Sequence, residues 1–143
     1  MKCKQEKAMY RLESDGIESN FFLSTPLGIV TQNRSGQILS ANPAVKNIFG
    51  LSPAEMCQLD VNSDLLNAFD ETGNIIAKQL LPYNLVFESG NPISGQILAV
   101  NNAITQKRLW LSVSAFPLKN VTVDEVYVIF EDISARKHPT VKS

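Results

Sequence analysis

The sequence predicts a mixed α+β domain around one antiparallel sheet, and three observations predict it. Two short runs of β character, GIVTQ and QILSA, lie either side of an Asn33-Arg34-Ser35-Gly36 turn. Short segments with the residues of helix caps follow them. The last third then carries three longer runs rich in β-branched and aromatic residues. Two strands, several short helices and a three-strand meander would cover one face of the sheet with helices. The other face is left for a partner or for a lead-in helix.

Taken in order, residues 1–25 read as a lead-in helix or linker. They are charged at first, carry Met9 and Leu12 on a narrow apolar stripe, pass Gly16, and offer Ile17, Phe21 and Phe22 as anchors before Pro26. In the turn after the first strand, Asn33 and Gly36 tolerate left-handed backbone angles. Asn42-Pro43 opens a helix, with Asn42 as its N-cap and Gly50 as its C-cap. Ser52-Pro53-Ala54-Glu55 has the pattern of a capping box. Residues 58–80 are the least legible, with a helical turn capped by Asp64 and a tight turn in DETGN. LPYNLVFESG reads as a further helix ending at Gly90. ISGQILAVNN, KRLWLSVSAFPL and VDEVYVIFEDIS are strands, the first two joined near Thr105-Gln106 and the last preceded by a polar turn around Asn120. The domain proper spans 26–134, and 135–143 form a polar tail in which Pro139 forbids an unbroken helix.

Composition narrows the function. Thirteen basic against fourteen acidic residues leave a net charge of −1, so neither nucleic acid nor an anionic membrane is an expected partner. No apolar stretch approaches the ~20 residues of a membrane span, and MKCKQEK leads into no signal-peptide core. Cys3 and Cys57 are few and far apart, so no framework disulfide is expected and a reducing cytoplasm is the expected compartment. An enzyme would need a constellation of reactive groups. The one histidine, His138, sits in the polar tail, and GNPISG lacks the Lys and Ser/Thr of a phosphate loop. Asp64 and Asp70 suit caps and turns. The chain is not expected to be an enzyme, and no metal site is expected.

The residues resemble the PAS domain family. GIVTQNRSGQILSANPAVKNIFGLSPAEM is similar to the opening of a PAS domain, RLWLSVSAFPL to its fourth strand, and VIFEDISARK to its fifth strand and exit. DETGN followed by LPYNLVFESG resembles the subset found in bacterial multidomain signalling proteins. The resemblance implies a five-stranded antiparallel sheet in the order 2-1-5-4-3, wrapped around a pocket. It further implies a sensory module, homodimeric, that regulates a histidine kinase or a cyclic-di-GMP enzyme in cis or in trans. A ligand-free structural module and a flavin or haem sensor are the rival readings.

Anchored on Trp110 and Pro117, the resemblance turns Leu109, Leu111, Val113 and Ala115 into the pocket. Extending the register adds Ile97, Ala99 and Asn101 from the third strand and Val126, Val128 and Phe130 from the fifth. Ile48, Tyr83, Val86 and Phe87 complete the expected pocket from the helices. Trp110, Phe116, Leu98 and Val100 are then expected on the outer face, with Phe21 or Phe22 or a second subunit covering them. Asp132, Ser134 and Arg136 are the expected signal exit. Haem sensors of the family bind iron through a histidine on the helix that here reads LPYNLVFESG, which has none. Met56 and Cys57 are expected to be core rather than haem ligands. Flavin photosensors use a cysteine where Val61 stands, with Cys57 about four residues too early. Flavin binders also place amides at the positions of Asn101, Leu111 and Phe130, and only Asn101 is one. Flavin and haem are therefore not expected. The candidate ligand is a small apolar or amphiphilic molecule, with Asn101 and Tyr83 as polar handles.

Overall fold

The computed structural model describes residues 19–60, 63–118 and 125–135. Helix α1 (Ser19–Ser24) leads into strands β1 (Gly28–Asn33) and β2 (Ile38–Ala41). Helices α2 (Val45–Phe49) and α3 (Pro53–Gln58) follow, then 3₁₀ turns at Asp64–Leu66 and Lys78–Leu80. Helix α4 (Pro82–Ser89) precedes β3 (Ile93–Asn101), β4 (Arg108–Pro117) and β5 (Glu125–Asp132). All neighbours pair antiparallel in the order β2-β1-β5-β4-β3, the order that the resemblance implied.

Local chemistry sets the element ends. In the β1–β2 turn the Asn33 Oδ1 accepts from the backbone N–H groups of Ser35 and Gln37, and Gly36 takes a φ of 94° that a side chain would strain. Ser52 and Glu55 close a reciprocal capping box on α3, and hydrogen bonds from Ser52 hold the Glu55 carboxyl below its ordinary pKa. Gly50 and Gly90 end α2 and α4 in the left-handed conformation. Asp70 accepts from Thr72 and Asn74 across the turn that holds Gly73.

Several expectations are corrected. Asn42 caps no helix: the N-cap of α2 is Ala44, which has no side-chain bond. Instead Asn42 is fully buried, its Oδ1 accepting from Ile29 N at 2.9 Å while Nδ2 donates to the carbonyls of Phe22 and Leu27. The turn at Asp64 is capped by Ser63, whose hydroxyl accepts from Leu65 N. Cys57 is disulfide-bonded, against the expectation for the cysteines, which removes one support for a reducing compartment. Cys3, Met9, Leu12, Gly16, Ile17, Val61, Asn120, Arg136, His138 and Pro139 lie outside the described residues.

The third strand is the largest correction. Six residues, 102–107, separate the Asn101↔Arg108 pair, with Gln106 at a φ of 64°. Leu98 therefore faces Leu111 and Val100 faces Leu109, so Leu98 and Val100 point into the core. Ile97 and Asn101 fall on the outer face and are exposed. Ala99 shares that face opposite Trp110 but is fully buried, with Phe69 paired to its backbone. The side-chain period of a strand is two, so one residue of offset exchanges the whole strand's faces.

The main core lies between the inner sheet face and helices α2–α4. Ile48, Phe49, Met56 and Val86 meet Val30, Leu111, Val113, Ala115 and Val128 there. A smaller cluster on the outer face joins Phe22 of α1 to Ile29 and Leu118, with Tyr127 and Ile129 packed on it. Phe22 is fully buried, whereas Phe21 is exposed. Among the described residues no helix is long and apolar enough to cross a membrane.

Candidate functional site

The sheet curls over the helices to leave a cavity of about 90 Å³. Val30, Ile38, Leu98, Val100, Val113, Val128 and Phe130 form its sheet wall, and Phe49, Met56, Leu66 and Tyr83 contribute from the helical side. Phe49 and Phe130 meet edge-to-face, with centroids 5.2 Å apart. Polar groups gather at the rim, where Gln32, Ser63 and Asn67 are part-buried and Lys78 is exposed.

Of the expected pocket residues, Tyr83, Val113, Val128 and Phe130 line this cavity. Ile48, Val86, Leu111, Ala115 and Val126 are spent on the core itself, with Leu109 part-buried against it. Phe87 packs on that core, with Arg34 over its ring at 4.8 Å. Asn101 is corrected as a handle. It faces outward and accepts from Arg108 Nε at 3.1 Å, on a separate surface cleft that also takes in Asp64 and Gln106. Leu98 and Val100, expected outside, line the cavity. Val30, Gln32 and Ile38 were missed, though the period-two pattern of the first hairpin carries them on one face.

Tyr83 is the cavity's polar side chain from the helices. It is 8% exposed, and its hydroxyl sits where a side chain on Gly36 would go: a Cβ there would lie 2.7 Å from it. Burial pushes the Tyr83 phenol pKa up, so it is a neutral hydrogen-bond donor at physiological pH. Among the described residues no group of three metal-ligating side chains occurs.

The cavity wall and the chain's exit share one strand. Two residues past Phe130, Asp132 Oδ1 accepts from Ser134 N at 2.9 Å. Ser134 Oγ then accepts from Trp110 N at 3.0 Å, and Ile133 N donates to Trp110 O at 2.8 Å. Ser134, expected as part of the signal exit, thus stitches that exit to β4. On the outer face Phe116 stacks on Tyr127 at 5.3 Å, and both Trp110 and Phe116 are half-buried.

A family model described as PAS domain matches residues 26–135. The chain belongs to the PAS domain family. Among solved structures, the PAS domain of nitrogen regulation protein NR(II) from Vibrio parahaemolyticus is 17% identical with a TM-score of 0.61, over 80% of this chain and 95% of that one. A domain of the sensory box sensor histidine kinase/response regulator from Geobacter sulfurreducens is 18% identical with a TM-score of 0.52, over 89% and 94%. The PAS domain of the fruit-fly ELK potassium channel is 16% identical with a TM-score of 0.58, over 81% and 94%. Such identities carry the fold alone, and one fold serves a kinase and a channel. No curated protein matches the chain in sequence. PAS domains are sensory rather than catalytic modules, and this PAS domain is a sensory signalling module.

Proposed function

We propose that the chain senses a small molecule in its cavity and biases an effector through the end of β5. The observation that carries this reading is the sharing of β5: Val128 and Phe130 wall the cavity, and Asp132 begins the exit. A ligand that presses on Phe130 shifts the strand on which the exit turn is built. The effector is a histidine kinase or a cyclic-di-GMP enzyme, in cis or in trans. The chain works as a cytoplasmic homodimer, with the Trp110–Phe116 side of the outer face as its contact.

The occupant is neither flavin nor haem. A dry cavity of about 150 Å³ holds one benzene, so 90 Å³ would bury only a part of a three-ring flavin. The flavin's polar edge would meet Leu111 and Phe130 without partners, and Asn101 points away. Helix α4 offers no histidine to haem iron.

Mass spectrometry of molecules released on denaturing the purified protein, with an absorbance scan beforehand, tests this reading. A colourless small compound at stoichiometric level supports it. A flavin or haem band replaces it with the cofactor reading, and an empty, ligand-indifferent protein leaves the structural module. Sedimentation of Trp110→Ala tests the dimer, which is wrong if the oligomeric state does not change.

A further inference from the structure

The hydroxyl of Tyr83 is a donor without an acceptor. The residue is more than nine-tenths buried, it lines the cavity, and among the described residues its hydroxyl makes no hydrogen bond. A buried hydroxyl left unpaired costs about 1–3 kcal/mol, and packing alone would be served as well by phenylalanine. Around it the cavity wall is apolar, made by Val30, Ile38, Met56 and Leu98. Gln32 stands nearby but spends its Nε2 on the carbonyl of Gly36, at 2.9 Å.

We propose that the cavity takes a small, uncharged oxygen compound, its apolar body against the sheet and its oxygen accepting from the Tyr83 hydroxyl. The inference rests on the sensory reading above and adds the chemical class and the residue that selects it. Scaling from benzene in an engineered cavity, the volume limits the fully buried part to about four heavy atoms, any further atom lying at the rim. Short ketones, cyclic ethers and alcohols have that size and an oxygen with a lone pair for the phenol. A charged head held against the apolar part of the wall would carry a heavy desolvation cost, and only at the rim would it meet Lys78.

The test uses two probes of equal shape, tetrahydrofuran and cyclopentane, titrated into isotope-labelled protein after dialysis. Amide shifts of Val113, Val128 and Phe130 report cavity binding. Tyr83→Phe keeps the ring and removes the hydroxyl, and its melting temperature should match or exceed that of the parent, since no internal bond is lost. In this variant tetrahydrofuran should bind about fivefold or more weakly, while cyclopentane changes by less than about twofold. If Tyr83→Phe alters neither probe, or both equally, the role of Tyr83 is overturned while the cavity reading survives. If neither probe moves the cavity amides of the parent, both fall together.

Discussion

Asn42 joins three pieces of backbone through one buried side chain. Its Oδ1 takes the Ile29 amide, and its Nδ2 reaches the carbonyls at Phe22 and Leu27. Its own N–H donates to Ile29 O at 2.9 Å. The side chain thus ties the end of α1 and the start of β1 to the segment after β2. Asn42→Ala would leave a buried donor and two carbonyls unpaired, so it should cost about 2–4 kcal/mol. Urea melts check this, and a loss under about 1 kcal/mol would mean that water replaces the amide. An N-cap alone would be worth about 0.5–2 kcal/mol. The sequence could show Asn before Pro, which suits a cap, but not that Phe22 and Leu27 would return to the same place. Long-range pairing of a side chain with backbone leaves no local pattern.

At the scale of elements, α1 is a six-residue helix whose buried apolar anchor is Phe22. Phe22 lies wholly in the outer-face cluster with Ile29 and Leu118, while Phe21 stays exposed. Phe22→Ala should therefore cost about 3–5 kcal/mol, and Phe21→Ala within about 0.5 kcal/mol; equal losses in parallel melts would contradict this packing. The capping box of α3 has a pH signature. The depressed Glu55 pKa means that the folded form favours the carboxylate, so the box contributes above the unfolded pKa and is lost as pH falls through the folded one. The stability gap between the parent and Glu55→Gln should thus close as pH drops from about 6 to about 3; a constant gap would remove the carboxylate from the account. Caps of this kind were legible because their residues are neighbours in sequence. So was the strand order, through the resemblance. The faces of β3 were not, because they depend on whether the connecting loop holds an odd or even number of residues. Composition does not reveal that. The same offset moved Asn101 out of the pocket and brought in Leu98 and Val100.

At the scale of the whole molecule, the proposed signal runs from the cavity to the exit after Asp132, and β5 is the strand that the two share. Phe130 packs against Phe49 in the cavity wall, and its backbone pairs with Val113 of β4. Three and four residues on, both polar groups of the Trp110 backbone are engaged, its carbonyl by Ile133 N and its N–H by Ser134 Oγ. A displacement of Phe130 reaches this junction directly through the strand. The junction also reports to the outer face, because the Trp110 side chain lies there. Ser134→Ala removes the acceptor for the Trp110 amide, whereas Ser134→Thr keeps it. Hydrogen exchange at the Trp110 amide should thus quicken about fivefold to tenfold in the alanine variant, the equivalent of one ordinary hydrogen bond, and stay near the parent's rate in the threonine variant. Unchanged exchange in both would show that the Ser134 hydroxyl does not hold the junction. The functional arm uses the chain joined to its effector. Asp132→Ala frees Ser134 N and loosens the turn without touching the core, so the effector should lose its response to ligand while the domain still melts cooperatively. A preserved response would mean that the signal leaves by the outer face through Trp110 instead, and that the turn at Asp132 only ends the strand.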